Sequence, residues 1–209
     1  MNKLIRIDFF HDVICGWCYV LSPRIRQLDL EFNLEIHHHA FALSSSREEM
    51  IAKFGGSMAQ AKRTILKHWE QCLLADDFNR INVEGMRSES FEYPFSMPGL
   101  IACKAAKLQG GNKMYWNYFD AVTHAHMSQH RNIGDLDVLT NIAKETGLDI
   151  NKFLNDYSDP QRIEEIKDDR AIANEYGIHS TPSLVVNQDL VLSGALDLQS
   201  LKNTLIRFN

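Results

Sequence analysis

Cysteine is scarce in this chain, with 4 in 209 residues, and two of them, Cys72 and Cys103, stand isolated in sequence. That usage excludes the disulfide framework on which small secreted domains depend. Positive charge is also short, since 22 lysines and arginines face 27 acidic residues for a formal net charge of −5. No basic footprint for nucleic acid follows from such a balance. The chain has no run of the roughly eighteen apolar residues that a membrane-crossing helix needs, so a membrane partner is not expected. Lys3, Arg6 and Asp8 break any apolar targeting segment ahead of Cys15, and a cytoplasmic location is expected. Internal repeats and low-complexity segments are missing too, and nothing in the sequence specifies an oligomeric state. What is present is a 44% hydrophobic content, ample for the core of one enlarged domain.

Periodicity divides the chain. Leu4 to Phe10 alternates and is rich in β-branched and aromatic residues, the pattern of a strand, and Gly16 to Phe32 reads as the helix after it. Leu34 to Phe41 reads as a second strand, completing a β-α-β opening. From Arg47 to about Asp156 the spacing becomes helical, with apolar residues at three- and four-residue intervals in Met58–Leu74, Leu100–Leu108, Tyr115–Met127 and Val138–Thr146. Asp135 is placed to cap a helix from about Leu136. Pro160 to Tyr176 follows as a helix with proline in its first turn and Gly177 past its end. Ser183–Val186 and Leu190–Leu192 read as strands joined at Asn187-Gln188-Asp189, and Leu198–Phe208 as a closing helix. Without its helical middle, the chain reads β-α-β then α-β-β-α, an α/β arrangement around one small sheet.

Just past the first strand stands Cys15-Gly16-Trp17-Cys18. Two thiols at this spacing, at a strand-to-helix junction in a reducing compartment, read as a dithiol/disulfide couple. A structural zinc site needs four ligands, and neither Cys72 nor Cys103 supplies a second close pair. Thiolates, not thiols, attack disulfides. Helix N-terminal amides and the positive end of the macrodipole favour negative charge at Cys15 more than at Cys18, one turn further in. Cys15 is therefore expected to attack and Cys18 to resolve. Gly16 and Trp17 set the local geometry; Trp17 either offers a flat apolar contact to substrate or simply packs. Far downstream, Gly177-Ile178-His179-Ser180-Thr181-Pro182-Ser183 lies between a helix and a strand, where a proline without an amide donor suits the first strand residue.

A strand, a Cys-x-x-Cys, a helix and a distant Gly177-Ile178-x-x-Thr181-Pro182 segment together resemble the thioredoxin superfamily. In that superfamily the proline is cis and faces the active-site pair. The long helical stretch, with Asp12-Val13-Ile14-Cys15-Gly16-Trp17-Cys18-Tyr19-Val20, resembles the DsbA family and its cytoplasmic FrnE-like branch, in which proline is commoner at position 16. His37 to Leu43 is similar to that family's second strand and its exit, and His130 to Asp135 to a turn before the last helix of its insertion. The resemblance implies a thioredoxin-like fold with a large all-helical insertion, residues 1–45 and 157–209 forming the two halves of the thioredoxin-like domain and 46–156 the insertion. It implies a thiol-disulfide oxidoreductase whose Thr181 backbone pairs with an extended substrate. The implied partners are protein disulfides, protein thiols or glutathione, the last as co-substrate, with no metal, flavin or nucleotide cofactor. Kappa-class glutathione transferases and 2-hydroxychromene-2-carboxylate isomerases resemble the same insertion pattern but carry serine near position 15, which makes a glutathione-dependent transferase or isomerase the alternative. A chaperone-like binding module using the insertion's apolar face is the third reading.

Other candidates have plainer readings. Cys72, among Trp69, Leu73 and Leu74, and Cys103, beside Ala102 and Ala105, are read as core. His37, His38 and His39 alternate across a strand, and His124, His126 and His130 lack a carboxylate helper, so neither group is expected to bind metal. Met50, Met58, Met86, Met97, Met114 and Met127 lie in the helical region, where they could form a yielding apolar binding surface, and are read mostly as core. His11 and Asp12 fall within four residues of Cys15, near enough to affect its ionisation. Asp12 either shuttles a proton to Cys18 or caps the turn.

Overall fold

In the computed structural model, residues 3–208 are described. In chain order the elements are β1 (Ile5–His11), α1 (Gly16–Glu31), β2 (Leu34–Ala40), α2 (Arg47–Phe54), α3 (Met58–Ala75), α4 (Val83–Ser88), α5 (Ser96–Lys107), α6 (Gly111–Met127), α7 (Leu136–Glu145), α8 (Ile150–Ser158), α9 (Gln161–Glu175), β3 (Ser183–Val186), β4 (Leu190–Ser193) and α10 (Leu198–Ile206). The strands form one sheet in the order β2-β1-β3-β4. β1 is an inner strand and is buried at every position except Arg6, which is half-buried. It runs parallel to β2, with Ile7 opposite Ile36, and antiparallel to β3, with Phe9 opposite Leu184. The β3–β4 hairpin closes through Asn187 and Gln188, both at positive φ (50° and 60°), the handedness that two-residue hairpin turns require.

The helices between the two halves of the sheet do not form a separate body. α3 and α6 pack on α1, α6 and α9 pack on β2, and one hydrophobic core runs from Ile5 and Phe9 through Trp69 and Phe119 to Phe153. This is the thioredoxin-like sheet with a helical insertion that the sequence pattern predicts. The boundary expected at residue 156 falls inside α8, which continues to Ser158 and stops at Asp159, where the following Pro160 disfavours helical backbone. Two helices, α7 and α8, follow the His130–Asp135 turn, where one was expected.

Three short helices lie outside the four helical segments predicted for the middle. Each starts on a side-chain cap rather than a long apolar stripe: Ser46 accepts the Glu49 N–H, Asn82 the Gly85 N–H and Asp149 the Lys152 N–H. In α1, Pro23 removes the amide that would bond the carbonyl of Tyr19. The guanidinium of Arg80 donates to that carbonyl at 3.1 Å instead, so the helix continues unbroken to Glu31.

Candidate active site

The site is assembled at the exit of β1. Cys15 is the N-cap of α1, with extended backbone (φ −86°, ψ 107°), and its sulfur accepts the N–H of Cys18 at 3.2 Å. A helix N-terminal amide is thus aimed at the sulfur, a geometry that stabilises negative charge there. Cys15 is 5% exposed and Cys18 fully buried; both are free thiols. Burial, and then the neighbouring Cys15 sulfur, push the Cys18 thiol well above its ordinary value. Cys18 is thereby held protonated inside the fold.

Asp12 holds the turn that presents them. Its carboxylate accepts from the amide of Leu43 at 2.7 Å, the hydroxyl of Ser96 at 2.6 Å and the amide of Ile14 at 3.3 Å. One side chain thereby ties β1's exit to the segment after β2 and to the start of α5. Burial raises its pKa to about 6, against the pull of those hydrogen bonds. Of the two roles open for Asp12, these contacts are those of a cap, and it is the Asp12 main chain that hydrogen-bonds the Cys18 thiol. His11 is fully buried among Phe9, Tyr115 and Phe119, and its ring meets His38 at 3.2 Å. Burial lowers it to about 3, so it is neutral at neutral pH.

From the other end of the chain comes Thr181. The Thr181–Pro182 bond is cis, and the Thr181 carbonyl oxygen lies 3.7 Å from the Cys15 sulfur, in reach of its S–H. The loop is held from beneath, as the Ser183 hydroxyl donates to the Ser180 carbonyl and the Gly194 amide to that of Pro182. Beside the pair opens an apolar groove of about 220 Å³, where Cys15, Gly16, Trp17 and Thr181 meet Trp69 and Cys72 of α3. Trp17 is half-buried at its edge and packs on the core while still lining the groove.

Cys72 is the residue whose position the sequence reading missed. It is buried, as a core cysteine is, but its sulfur also closes one wall of the groove that holds Cys15. The spacing of Ile65, Trp69 and Cys72 along one face of α3 was the available signal, because all three line that groove. Cys103 is fully buried on α5.

The histidines are dispersed into separate contacts. His37 pairs with Glu35, His38 with His11, and His39 bridges Asp8 and Asp169. His124 bonds the Tyr19 hydroxyl, His126 packs against Trp69 and Tyr93, and His130 pairs with Glu89. Among the described residues, no group of three or more His, Cys, Asp or Glu side chains is placed to hold a metal ion. No helix among them is long and apolar enough to cross a membrane.

The ClpXP adapter protein SpxH of Bacillus subtilis (strain 168) is 29% identical over 191 residues, covering 88% of this chain and 58% of SpxH. This chain thus spans little more than half the length of that relative. The cytosolic disulfide reductase DsbM of Pseudomonas aeruginosa, solved with GSH, matches with a TM-score of 0.73 at 18% identity, over 97% of this chain and 99% of that one. A 2-hydroxychromene-2-carboxylate isomerase structure matches with a TM-score of 0.70 at 16% identity, over 97% and 95% of the two chains. Both structural likenesses are likenesses of fold. The thioredoxin family model spans residues 9–206, taking in the Cys15–Cys18 turn, the helical middle and the Thr181–Pro182 loop alike, and the chain belongs to that family.

Proposed function

We propose that the protein is a DsbA-like thiol-disulfide oxidoreductase in which Cys15 attacks and Cys18 resolves. The observation that carries this reading is the setting of the Cys15 sulfur, which takes a helix N-terminal amide at 3.2 Å and faces the Thr181 carbonyl at 3.7 Å. The Cys15 thiolate attacks one sulfur of a substrate disulfide; that S–S bond breaks, the other sulfur leaves as a thiolate and takes a proton, and a mixed disulfide forms. Cys18 then gives up its proton and attacks the Cys15 sulfur, forming the Cys15–Cys18 disulfide and releasing the second substrate thiol. Two electrons pass from protein to substrate, and the reverse sequence oxidises a substrate dithiol.

An extended substrate segment would pair with the Thr181 backbone as an added strand, with Trp17 and the apolar groove receiving the side chain beside its cysteine. Gly16 and Pro182 shape the two sides of that approach, while Asp12 and His11 support the turn from behind. Protein thiols and disulfides or glutathione fit as substrates, and the dithiol itself is the redox centre, so no further cofactor is required. The GSH in the DsbM structure and that protein's cytosolic description support glutathione as co-substrate and a cytoplasmic assignment. In an insulin-reduction or dithiol-oxidation assay, Cys15→Ser is expected to eliminate turnover; full activity in that variant would overturn the reading.

A second reading comes from SpxH, which is named as an adapter and so as a binding protein. Binding that needs no redox chemistry would persist in a Cys15→Ser/Cys18→Ser double variant. The free cysteine pair at a helix N-terminus, with Cys18 held protonated, favours the redox reading.

A further inference from the structure

Gly16 is the first residue of α1, directly after the N-cap. Proline is intrinsically well suited to that position, since its missing amide is not needed and its φ is already helical. Local preference therefore does not explain glycine here. The explanation lies on α3: a Cβ at residue 16 would come 2.8 Å from the Cys72 sulfur, 3.4 Å from the Cys72 Cβ and 3.7 Å from Trp69 Cδ1. The clash is with the Cys72 sulfur, the Cys72 Cβ lying at ordinary contact distance, and since both Cys72 and Trp69 are only 1% exposed the sulfur sits in packed surroundings. The space that a side chain between the two active-site cysteines would occupy is already filled.

We propose that Cys72 is a positioning residue of the redox site, which through its contact with Gly16 sets the first turn of α1 and with it the thiol-disulfide poise of Cys15/Cys18. The inference rests on the redox reading and adds a determinant contributed by the helical insertion. The Cys18 amide that bonds the Cys15 sulfur belongs to this first turn. With no Cβ at residue 16, α1 and α3 close on one another, and the Cys72 sulfur covers the Gly16 backbone on the groove side. A Cβ there would displace the turn and weaken the N–H···S bond. That bond favours the thiolate of the reduced form, so its weakening makes the couple less oxidising. Cys72 itself takes no part in exchange, since burial, followed by the charge of Cys15, raises its thiol to about 12.

The test is a double-substitution cycle of Gly16→Ala and Cys72→Ala in the whole protein, read as the equilibrium constant with glutathione and as the thermal midpoint. Gly16→Ala alone is expected to shift the equilibrium at least tenfold towards the disulfide, equivalent to about 30 mV for a two-electron couple. In the Cys72→Ala background the shift is expected to fall below threefold, and Gly16→Pro to behave in the same way. Equal shifts in both backgrounds would overturn the proposal. If Gly16→Ala fails to fold with Cys72 present but folds with Cys72→Ala, the contact is upheld; failure in both backgrounds overturns it. The thermal midpoint keeps the two readings apart: if no variant equilibrates with glutathione, the redox reading fails, and additive midpoints then refute the steric pair separately.

Discussion

The sulfur of Cys15 faces the carbonyl oxygen of Thr181 at 3.7 Å, across 166 positions of sequence. An N-cap cysteine is thereby brought against a segment whose main chain is held in a fixed loop, and an incoming cysteine has a backbone beside which to align.

Replacing either member of the pair has distinct outcomes. Cys15→Ser is expected to lower turnover by more than about a hundredfold, as loss of a covalent nucleophile does. Cys18→Ser leaves the attack intact and removes its resolution, so a mixed disulfide with glutathione should accumulate and be visible by intact mass. Accumulation on Cys18 in the Cys15→Ser variant instead would reverse the assignment.

The burial that keeps Cys18 protonated predicts selective alkylation. At pH 7, iodoacetamide should modify Cys15 at least about ten times faster than Cys18, because only the thiolate reacts. Peptide mapping after brief labelling of the reduced protein reads the ratio.

Asp12 gives a pH signature. Its pKa is raised from 3.8 to about 6 by burial, so between pH 4 and 6 the folded state holds a proton that the unfolded chain releases. Stability from this group is full below pH 4 and is lost as pH rises through 6, amounting to up to about 3 kcal/mol. Asp8 acts in a different window: although burial opposes ionisation, hydrogen bonds from His39 and Arg6 outweigh it and hold the group at about 2, so its contribution is lost as pH falls below 4. Urea melts of wild type and Asp12→Asn from pH 4 to 7 should differ in slope mainly between 4 and 6.

Arg80 carries an unusual share of α1. It donates to the carbonyl left free by Pro23, pairs with the buried Asp76 at 2.6 Å and lies over the Tyr19 ring at 4.0 Å. Arg80→Met is expected to cost about 3 kcal/mol in denaturant melts, since it removes the charge paired with the buried Asp76 carboxylate, which keeps the Arg80 backbone amide, and leaves the Tyr19 carbonyl without a donor. Adding Pro23→Ala restores an amide for that carbonyl and should recover roughly 1 kcal/mol.

Strands, long helices and the two halves of the site are legible in residue order because each carries a local pattern: alternation in Ile5–His11, an apolar stripe in α3, a Cys-x-x-Cys at the start of α1, a proline immediately before β3. The short helices α2, α4 and α8 have too few turns to show a stripe, and their caps at Ser46, Asn82 and Asp149 are single residues common in any loop. The helix expected over Gly16–Phe32 contains Pro23, and only the fold shows that Arg80, 57 positions further on, satisfies the carbonyl it frees. The fate of Asp12 was open for the same reason, as two of its hydrogen-bond donors, Leu43 and Ser96, come from distant segments.

Residue order alone places Cys15 at a helix N-terminus with Cys18 one turn inside, since an N-cap and its bond to the amide three residues on depend only on near neighbours. Packing supplies the rest. The burial that holds Cys18 protonated, the Thr181 carbonyl opposite Cys15 and the Cys72 sulfur filling the space beside Gly16 all come from segments distant in the chain, and only the closed hydrophobic core brings them into contact.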